Sequence, residues 1–257
     1  MREFEFLGIE SSDSIAVVTL DSPPVNAVSE PMFEEIRDLF TYFDELLPEA
    51  KVVVITGRGR HFCAGNDLGE FATLDRANAP GRLKLVREAF TAVYDCPVPL
   101  IAAVRGMAAG SGVAIAASAD ILVCGESAKL ATPEVSVGML GGARHLRRLV
   151  PEQVMRAMYF TSTPVLASRL AGYGGIYEVV PDERLLDTAL ELAREITVHS
   201  RAALRGAKES LNAAEFTTLK AGYESEQRYI THLAGHPDSL EARLAVLDRR
   251  PARFADS

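Results

Sequence analysis

The sequence predicts an α/β fold followed by a helical C-terminal region. Four short apolar, β-branched runs end at turn residues and predict buried strands at residues 15–20, 52–56, 100–104 and 121–124. Segments with helical periodicity lie between them, and strands that alternate with such helices are typical of α/β folds with right-handed crossovers. Strand signals end near Asp182. We therefore expect an α/β core over residues 1–195 and a helical lobe over residues 196–257.

The first helix is predicted between the first two strands. Ser29 can cap its N-terminus, because a serine side chain accepts a hydrogen bond from a first-turn N–H group, and Pro31 suits the first turn. The apolar residues that follow repeat at helical spacing and predict a face buried in the core: Phe33, Ile36, Phe40, Phe43 and Leu47.

A second helix is predicted over residues 83–94, ending before Pro97 and Pro99. Its predicted inner side carries Leu83, Val86, Phe90 and Val93. In the C-terminal region, apolar residues at helical spacing predict three more helices, over residues 185–196, 204–211 and 219–233.

Composition and charge restrict the class of protein. A chain of 257 residues with 48% hydrophobic and 24% charged residues can form one large domain, or one domain with an added lobe. The N-terminus has no signal-peptide pattern and no apolar run reaches the roughly 20 residues of a membrane span, so we expect a cytoplasmic protein. The net charge of −8 argues against nucleic acid or an anionic membrane as a partner. The three cysteines, an odd number without metal-ligand spacing, predict buried free thiols at Cys63, Cys96 and Cys124.

Three glycine-marked segments follow or join the predicted strands, at residues 55–68, 104–116 and 130–138. Small residues at a turn let a ligand approach backbone N–H groups, and a helix that begins there adds the positive end of its dipole. Each segment alone is equally compatible with a tight turn and close helix packing. Together they predict a site for an anionic oxygen.

These segments, taken as a set, resemble the crotonase family, also called the enoyl-CoA hydratase/isomerase family. Residues 25–27 are similar to the family's first turn, and residues 62–68 to its F-x-A-G-x-D-L motif. Residues 106–120 resemble its glycine turn and helix, residues 131–138 its P-E segment, and residues 240–254 its closing helix. The resemblance implies a crotonase-like spiral of repeated ββα units with a C-terminal helical oligomerisation lobe.

The resemblance also implies a catalytic set. The backbone N–H groups of Ala64 and Ser111 match the two donors that hold the thioester oxygen while its enolate forms. Glu134 matches the glutamate of the P-E segment, and its apolar neighbours can raise its pKa toward a value useful for proton transfer. The position of the family's second carboxylate is taken by Ala114. An exposed glutamate that caps a helix is the alternative interpretation of Glu134.

A substrate-binding set follows from the same resemblance. It comprises small or polar residues of the three turns and two basic residues that could meet the phosphates of coenzyme A: Asn26, Ala27, Arg60, Gly65, Asp67, Leu68, Gly110, Ala114 and Arg249. The implied substrate is an acyl-CoA thioester, so coenzyme A belongs to the substrate and no permanently bound cofactor or metal is expected. The implied assembly is a homotrimer or a dimer of trimers, in which Arg249 could serve a neighbouring subunit.

The reaction stays open at this point. One carboxylate can carry a proton between C2 and C4 of an enoyl thioester, which is isomerisation, whereas hydration has less support without a partner at Ala114. The chain also departs from the family over residues 139–146, where Arg144 or His145 could replace the missing acid or could lie on an exposed helix start. Other enolate chemistry, such as decarboxylation, C–C cleavage or thioester hydrolysis, and a non-catalytic acyl-CoA-binding role are the alternatives.

Patterns of other enzyme classes are incomplete. The glycines around Ser111 lack the last glycine of a dinucleotide fingerprint, and Ala109 and Val113 occupy the glycine positions of a serine-hydrolase elbow. His232 and His236 are four residues apart, but no H-E-x-x-H motif accompanies them.

Overall fold

The computed structural model describes residues 4–255. Residues 1–3, which contribute to the prediction about the N-terminus, and residues 256–257, at the end of the predicted lobe, lie outside that range. The α/β prediction is confirmed: the described chain contains two β-sheets, with helices between their strands and a run of helices at the end.

The larger sheet has six strands in the order β1-β2-β3-β4-β6-β9, and the smaller sheet has three in the order β5-β7-β8. All neighbouring pairs are parallel except β1 with β2 and β7 with β8. The strands are β1 Leu7–Ser12, β2 Ile15–Leu20, β3 Val52–Gly57, β4 Leu100–Val104, β5 Met107–Ala109, β6 Ile121–Gly125, β7 Lys129–Ala131, β8 Val165–Leu166 and β9 Glu178–Val180.

Twelve α-helices occur in the described range, with 3₁₀ turns at Glu134–Val137 and Asp182–Arg184. The helices are α1 Glu30–Thr41, α2 Phe43–Leu46, α3 Leu68–Phe71, α4 Ala79–Tyr94, α5 Ser111–Ser118, α6 Ala143–Leu146, α7 Glu152–Thr161, α8 Ala167–Ala171, α9 Leu185–Thr197, α10 Arg201–Ala214, α11 Leu219–Ala234 and α12 Pro237–Leu247.

Both faces of the larger sheet are buried, as expected for a mainly parallel sheet covered by helices. Alternate residues of β3 point to opposite sides: Val53 and Ile55 join the core that packs on α1, α4 and α5, whereas Val52 and Val54 join the core beneath α9. This arrangement explains why β3 is buried along its whole length and is apolar from Val52 to Ile55. The smaller sheet continues from the turns after β4 and β6, so it brings those turns together.

The four predicted strands are all present. Five strands were not predicted, namely β1, β5, β7, β8 and β9. Four of these have two or three residues, and β1 is mostly half-buried or exposed at the sheet edge. Strands of this kind lack the continuous apolar run from which the other four were predicted.

The first helix is confirmed but ends at Thr41, so Phe43 and Leu47 of its predicted face lie in and directly after the short helix α2. Ser29 caps α1 by accepting a hydrogen bond from Met32 N, 3.4 Å away, and the predicted apolar face is buried.

The second helix shows one correction. Helix α4 begins at Ala79, four residues before the predicted start, and Leu83 is 48% exposed rather than in the core. The reason is that this part of α4 borders a cleft, described below, and not the sheet.

The C-terminal helices attach to the core through buried and partly buried ion pairs. Lys208 of α10 lies 2.7 and 2.6 Å from the two carboxylate oxygens of Asp120, and Arg201 lies 2.7 Å from Asp44. A division into a core of residues 1–195 and a lobe of residues 196–257 remains our proposal.

Two further predictions concern burial. Cys63, Cys96 and Cys124 are free and buried, as predicted, and burial raises the pKa of each thiol to about 12. Among the described helices, none has both the length and the apolar character that a membrane crossing requires.

Candidate active site

The turn after β3 is held in place by a buried asparagine. The side-chain NH₂ group of Asn26 donates to the carbonyl oxygens of Arg58, His61 and Phe62, at 3.0, 2.8 and 3.2 Å. Asn26 is 1% exposed, and Ala27 beside it is partly buried and does not line the cleft. The predicted contact between Asn26 and substrate is therefore corrected: its side chain supports the turn instead.

The second turn starts helix α5. Gly110 has a φ of +52°, a conformation that costs glycine little, and its N–H donates to Ala131 O at 3.0 Å. A Cβ on Gly112 would overlap the Cys63 carbonyl, so glycine lets α5 lie directly against the first turn. Every residue of α5 is buried, and the positive end of its dipole is at its N-terminus, where Gly110 lies close to Gly65 of the first turn.

Glu134 brings the third segment to the same place. A Cβ on Gly110 would lie 3.4 Å from Glu134 Oε1, and a Cβ on Gly142 only 3.1 Å from it. The carboxylate therefore lies beside the start of α5, between two residues without side chains. Its Oε2 atom is buried and has no hydrogen-bond partner among the described residues. Burial raises the pKa of this carboxyl group, against a smaller lowering by a backbone hydrogen bond.

The three segments border an open cleft of about 830 Å³, a volume that includes space continuous with solvent. Glu134 is its only titratable side chain among the described residues, and exposed apolar side chains form part of its rim. The residues that line it are Ala64, Gly65, Asn66, Leu68, Leu83, Val86, Phe90, Gly110, Ser111, Ala114, Pro133, Glu134, Val137, Met139, Leu140, Gly141 and Gly142.

The backbone N–H groups of Asn66 and Ser111 are among those in this cleft that have no acceptor among the described residues. The N–H of Ala64, by contrast, donates to Val25 O at 3.0 Å. We therefore correct the predicted donor pair from Ala64 and Ser111 to Asn66 and Ser111. Gly65, with a φ of +104°, turns the chain between Ala64 and Asn66. The sequence motif alone does not show that the N–H group of Ala64 is already paired whereas that of Asn66 is not.

The other predicted binding residues divide into two groups. Gly65, Leu68, Gly110 and Ala114 line the cleft, and Asp67 borders a smaller cavity beside it, where its side chain caps α3 by accepting from Glu70 N at 2.9 Å. The two basic residues lie elsewhere. Arg60 is exposed in a separate depression with His61 and Arg105, and Arg249 is exposed after α12.

Arg144 and His145 do not line the cleft. The Arg144 guanidinium stacks over the ring of Phe216, 4.3 Å from its centroid, on the exposed helix start that was the alternative prediction. The imidazole of His145 packs against the ring of Phe90, and burial lowers its pKa. The histidine thus lies behind one wall of the cleft, where it supports Phe90.

Tyr159 is a site-supporting residue that the sequence did not indicate. Its hydroxyl accepts a hydrogen bond from Gly141 N, 2.9 Å away, and so ties α7 to the loop beside Glu134. His236, considered above for its spacing from His232, caps α12 by accepting from Asp238 N at 3.2 Å.

Comparison with known proteins agrees with the resemblance found in the sequence. The model of the enoyl-CoA hydratase/isomerase family matches residues 10–257. A hydrolase of (7aS)-7a-methyl-1,5-dioxo-2,3,5,6,7,7a-hexahydro-1H-indene-carboxyl-CoA from Rhodococcus jostii (strain RHA1) is 39% identical over 238 residues, covering 90% of this chain and 92% of the relative. The 2,3-dehydroadipyl-CoA hydratase of Escherichia coli (strain K12) is 34% identical, covering 79% and 80%.

A solved structure of enoyl-CoA hydratase from Bacillus anthracis superimposes with a TM-score of 0.92 at 25% identity, covering 98% of this chain and 100% of that one. The crotonase-like fold implied by the sequence is therefore confirmed.

Proposed function

The chain belongs to the enoyl-CoA hydratase/isomerase family and is an enzyme that acts on CoA thioesters, and on that premise we propose that Glu134 is its single proton carrier. The observation that carries the proposal is the position of the carboxylate. It is the only titratable group among the described residues of the cleft, and it lies at the start of α5. Its raised pKa suits a group that both takes and returns a proton.

We propose that the N–H groups of Asn66 and Ser111 hold the thioester oxygen. Negative charge develops on that oxygen as the enolate forms, and unpaired N–H donors at the positive end of α5 stabilise it. Loss of one such donor typically lowers the rate by about 10² to 10³.

Hydration or isomerisation of an enoyl-CoA is the first candidate reaction, and the similarity to two hydratases supports it. In hydration, Glu134 takes a proton from water as the water oxygen adds to C3, and the resulting enolate receives that proton at C2. In isomerisation, Glu134 takes a proton from C2 of a 3-enoyl thioester and returns it to C4. Both reactions need one carboxylate, so Ala114 does not prevent them.

Hydrolysis of an oxo-bearing acyl-CoA is the second candidate, favoured by the similarity to the Rhodococcus hydrolase. Here Glu134 takes a proton from water, which attacks a carbonyl carbon β to the thioester. The C2–C3 bond then breaks, its electrons form the thioester enolate held by the two N–H groups, and protonated Glu134 delivers the proton to C2. One water is consumed and a carboxylic acid forms. Thioester hydrolysis, with release of free coenzyme A, is the related alternative.

Three finer assignments belong to the same proposal. The chain needs no permanently bound cofactor, because the chemistry above uses only a carboxylate and N–H donors. Its proposed location is the cytoplasm. It forms a homotrimer or a dimer of trimers through its C-terminal helices, which is supported by the exposed apolar side chains there: Leu211, Phe216, Leu219, Tyr223, Ile230, Leu240, Leu244, Val246 and Leu247.

The decisive experiment incubates wild type and Glu134→Gln with 2-enoyl-, 3-enoyl- and 3-oxoacyl-CoA in deuterated water. Mass spectrometry identifies the reaction: hydration adds one water, isomerisation only exchanges hydrogen, and C–C hydrolysis splits the 3-oxoacyl-CoA into a carboxylic acid and acetyl-CoA. A thiol reagent detects thioester hydrolysis. We expect one product in wild type and a loss of about 10² or more in Glu134→Gln.

Glu126→Gln is the matched control, since Glu126 is exposed and does not line the cleft. We expect it to keep wild-type activity. Turnover that survives unchanged in Glu134→Gln would rule out Glu134 as the proton carrier.

A further inference from the structure

Besides the Glu134 carboxylate, two neutral polar side chains interrupt the apolar lining of the cleft, those of Asn66 and Ser111. They hydrogen-bond to each other, with the Ser111 hydroxyl donating to Asn66 Oδ1. Ser111 is 8% exposed, so its hydroxyl is held at the base of the cleft and not at its mouth. Both side chains leave the backbone at the residues whose N–H groups are unpaired. The pair therefore lies next to the place proposed for the thioester oxygen.

This pair has hydrogen-bonding capacity to spare. An asparagine NH₂ group carries two donors, and Asn66 Nδ2 has no acceptor within residues 4–255. With the amide turned over, Nδ2 would donate to Ser111, and the serine hydroxyl would then be free to donate. In either orientation a donor remains for a ligand. Asn26 is a useful contrast, because its NH₂ group is satisfied by three carbonyl oxygens.

An unpaired donor in an apolar site discriminates between ligands. A ligand that covers it with a CH₂ group leaves it without the hydrogen bond that water had supplied, whereas a ligand oxygen replaces that bond. The difference corresponds to a factor of about ten or more in affinity. A neutral oxygen fits better than a carboxylate, because the one charged side chain among the described lining residues is the anionic Glu134.

Building on the proposed function, we propose that Asn66 and Ser111 form a specificity pair that binds an oxo oxygen of the acyl group, close to the thioester. The enzyme would then select oxoacyl-CoA thioesters over plain alkyl ones of the same length. The backbone of these two residues holds the thioester oxygen, and their side chains bind the second oxygen.

Calorimetry with saturated acyl-CoA and its 3-oxo derivative tests the pair, in the Glu134→Gln background and with mass spectrometry to verify that the ligands stay intact. We expect the 3-oxo ligand to bind about tenfold more tightly than the alkyl ligand. Asn66→Ala keeps the backbone N–H but removes the amide, and it should reduce that ratio of dissociation constants to about one.

Two further variants provide a second test of the pair and a control. Ser111→Ala releases the amide of Asn66 from its partner and should lower the ratio, whereas Glu126→Gln, at an exposed residue outside the cleft, should leave the ratio unchanged. The readout is a binding ratio and does not depend on turnover, so it stands apart from the test of Glu134 as proton carrier. A ratio near one in the parent, or an unaltered ratio in Asn66→Ala, would overturn the specificity pair.

Discussion

At the residue scale, Glu134 must be charged to take up a proton, yet its surroundings disfavour the charge. One carboxylate oxygen is buried without a partner among the described residues, and the groups beside the other are Gly110 and Gly142, which have no side chains. Burial is the first cause of its raised pKa. The dipole of α5 points its positive end toward this place and so makes the charged form tolerable.

The raised pKa predicts how Glu134 affects stability. Because the folded state binds the proton more tightly than the unfolded state, this group lowers the free energy of unfolding as pH rises through the interval between the two pKa values. We expect Glu134→Gln, a neutral substitute, to raise Tm at alkaline pH and to match wild type in acid. Glu126→Gln should show no such pH-dependent difference. Calorimetric scans across pH measure this, and a lower Tm for Glu134→Gln at alkaline pH would contradict it.

Two glycines with nearly the same backbone provide a second prediction. Gly142 and Gly138 have φ values of +69° and +71°, but a Cβ on Gly142 would lie 3.1 Å from Glu134 Oε1, whereas one on Gly138 would contact nothing within 4 Å. Replacing either glycine with alanine should lower the free energy of unfolding by about 1 kcal/mol, because a Cβ disfavours this conformation. Only Gly142→Ala should also lower kcat, by displacing the carboxylate. Equal kcat in both variants would show that the contact is unimportant.

At the scale of elements, α5 connects the site to the rest of the core. Its first residue supplies a proposed N–H donor, and the carbonyl groups at its other end, on Ala117 and Ala119, accept from Arg148. Arg148 also pairs with Glu215 after α10, at 2.8 Å. The orientation of α5 thus depends on contacts made by the C-terminal helices.

Lys208 provides a test of how α10 is held. Its side chain is 3% exposed, and its ammonium group bonds to both carboxylate oxygens of Asp120, which also accepts from Leu100 N. Lys208→Met would leave this carboxylate without its cation, and we expect a loss of about 3 kcal/mol in the free energy of unfolding. Lys84→Met, which breaks an exposed pair with Glu88, should cost less than about 0.5 kcal/mol. Urea unfolding measures the loss of stability in each variant, and similar losses in Lys208→Met and Lys84→Met would contradict the role of Lys208 in holding α10.

At the scale of the whole molecule, the C-terminal helices leave large apolar side chains exposed on a single chain. Leu219 is 90% exposed, and Val246 and Leu247 are 78% and 77% exposed. Apolar surface of this extent is typical of protein interfaces. The proposed trimer would cover it and would place Arg249 near a neighbouring subunit.

Light scattering checks the oligomeric state. We expect the mass of three or six chains for wild type, and a smaller mass for the double variant Val246→Asp, Leu247→Asp, because two buried charges destabilise an interface. Circular dichroism verifies that the variant stays folded. A wild-type mass of one chain would refute the trimer.

The sequence by itself determined the α/β class, the first helix with its serine cap, the buried cysteines and the family. These features depend on residues that are close in the chain, through periodicity, capping and turn chemistry, or on motifs in order. Glu134 was found through the resemblance to the family, because it occupies the position of the glutamate in the P-E segment, and its apolar neighbours are visible in the same segment.

Only the tertiary structure decided which groups are free to bind. Ala64 lost its predicted role because its N–H meets a carbonyl at Val25, in a different segment, and Asn26 lost its role because three carbonyls from another turn occupy its side chain. Leu83 was predicted to lie in the core, but it borders the cleft because that part of α4 does not pack against the sheet. Whether a donor is available or a side chain is exposed depends on what packs against it, and segments distant in the chain supply those partners.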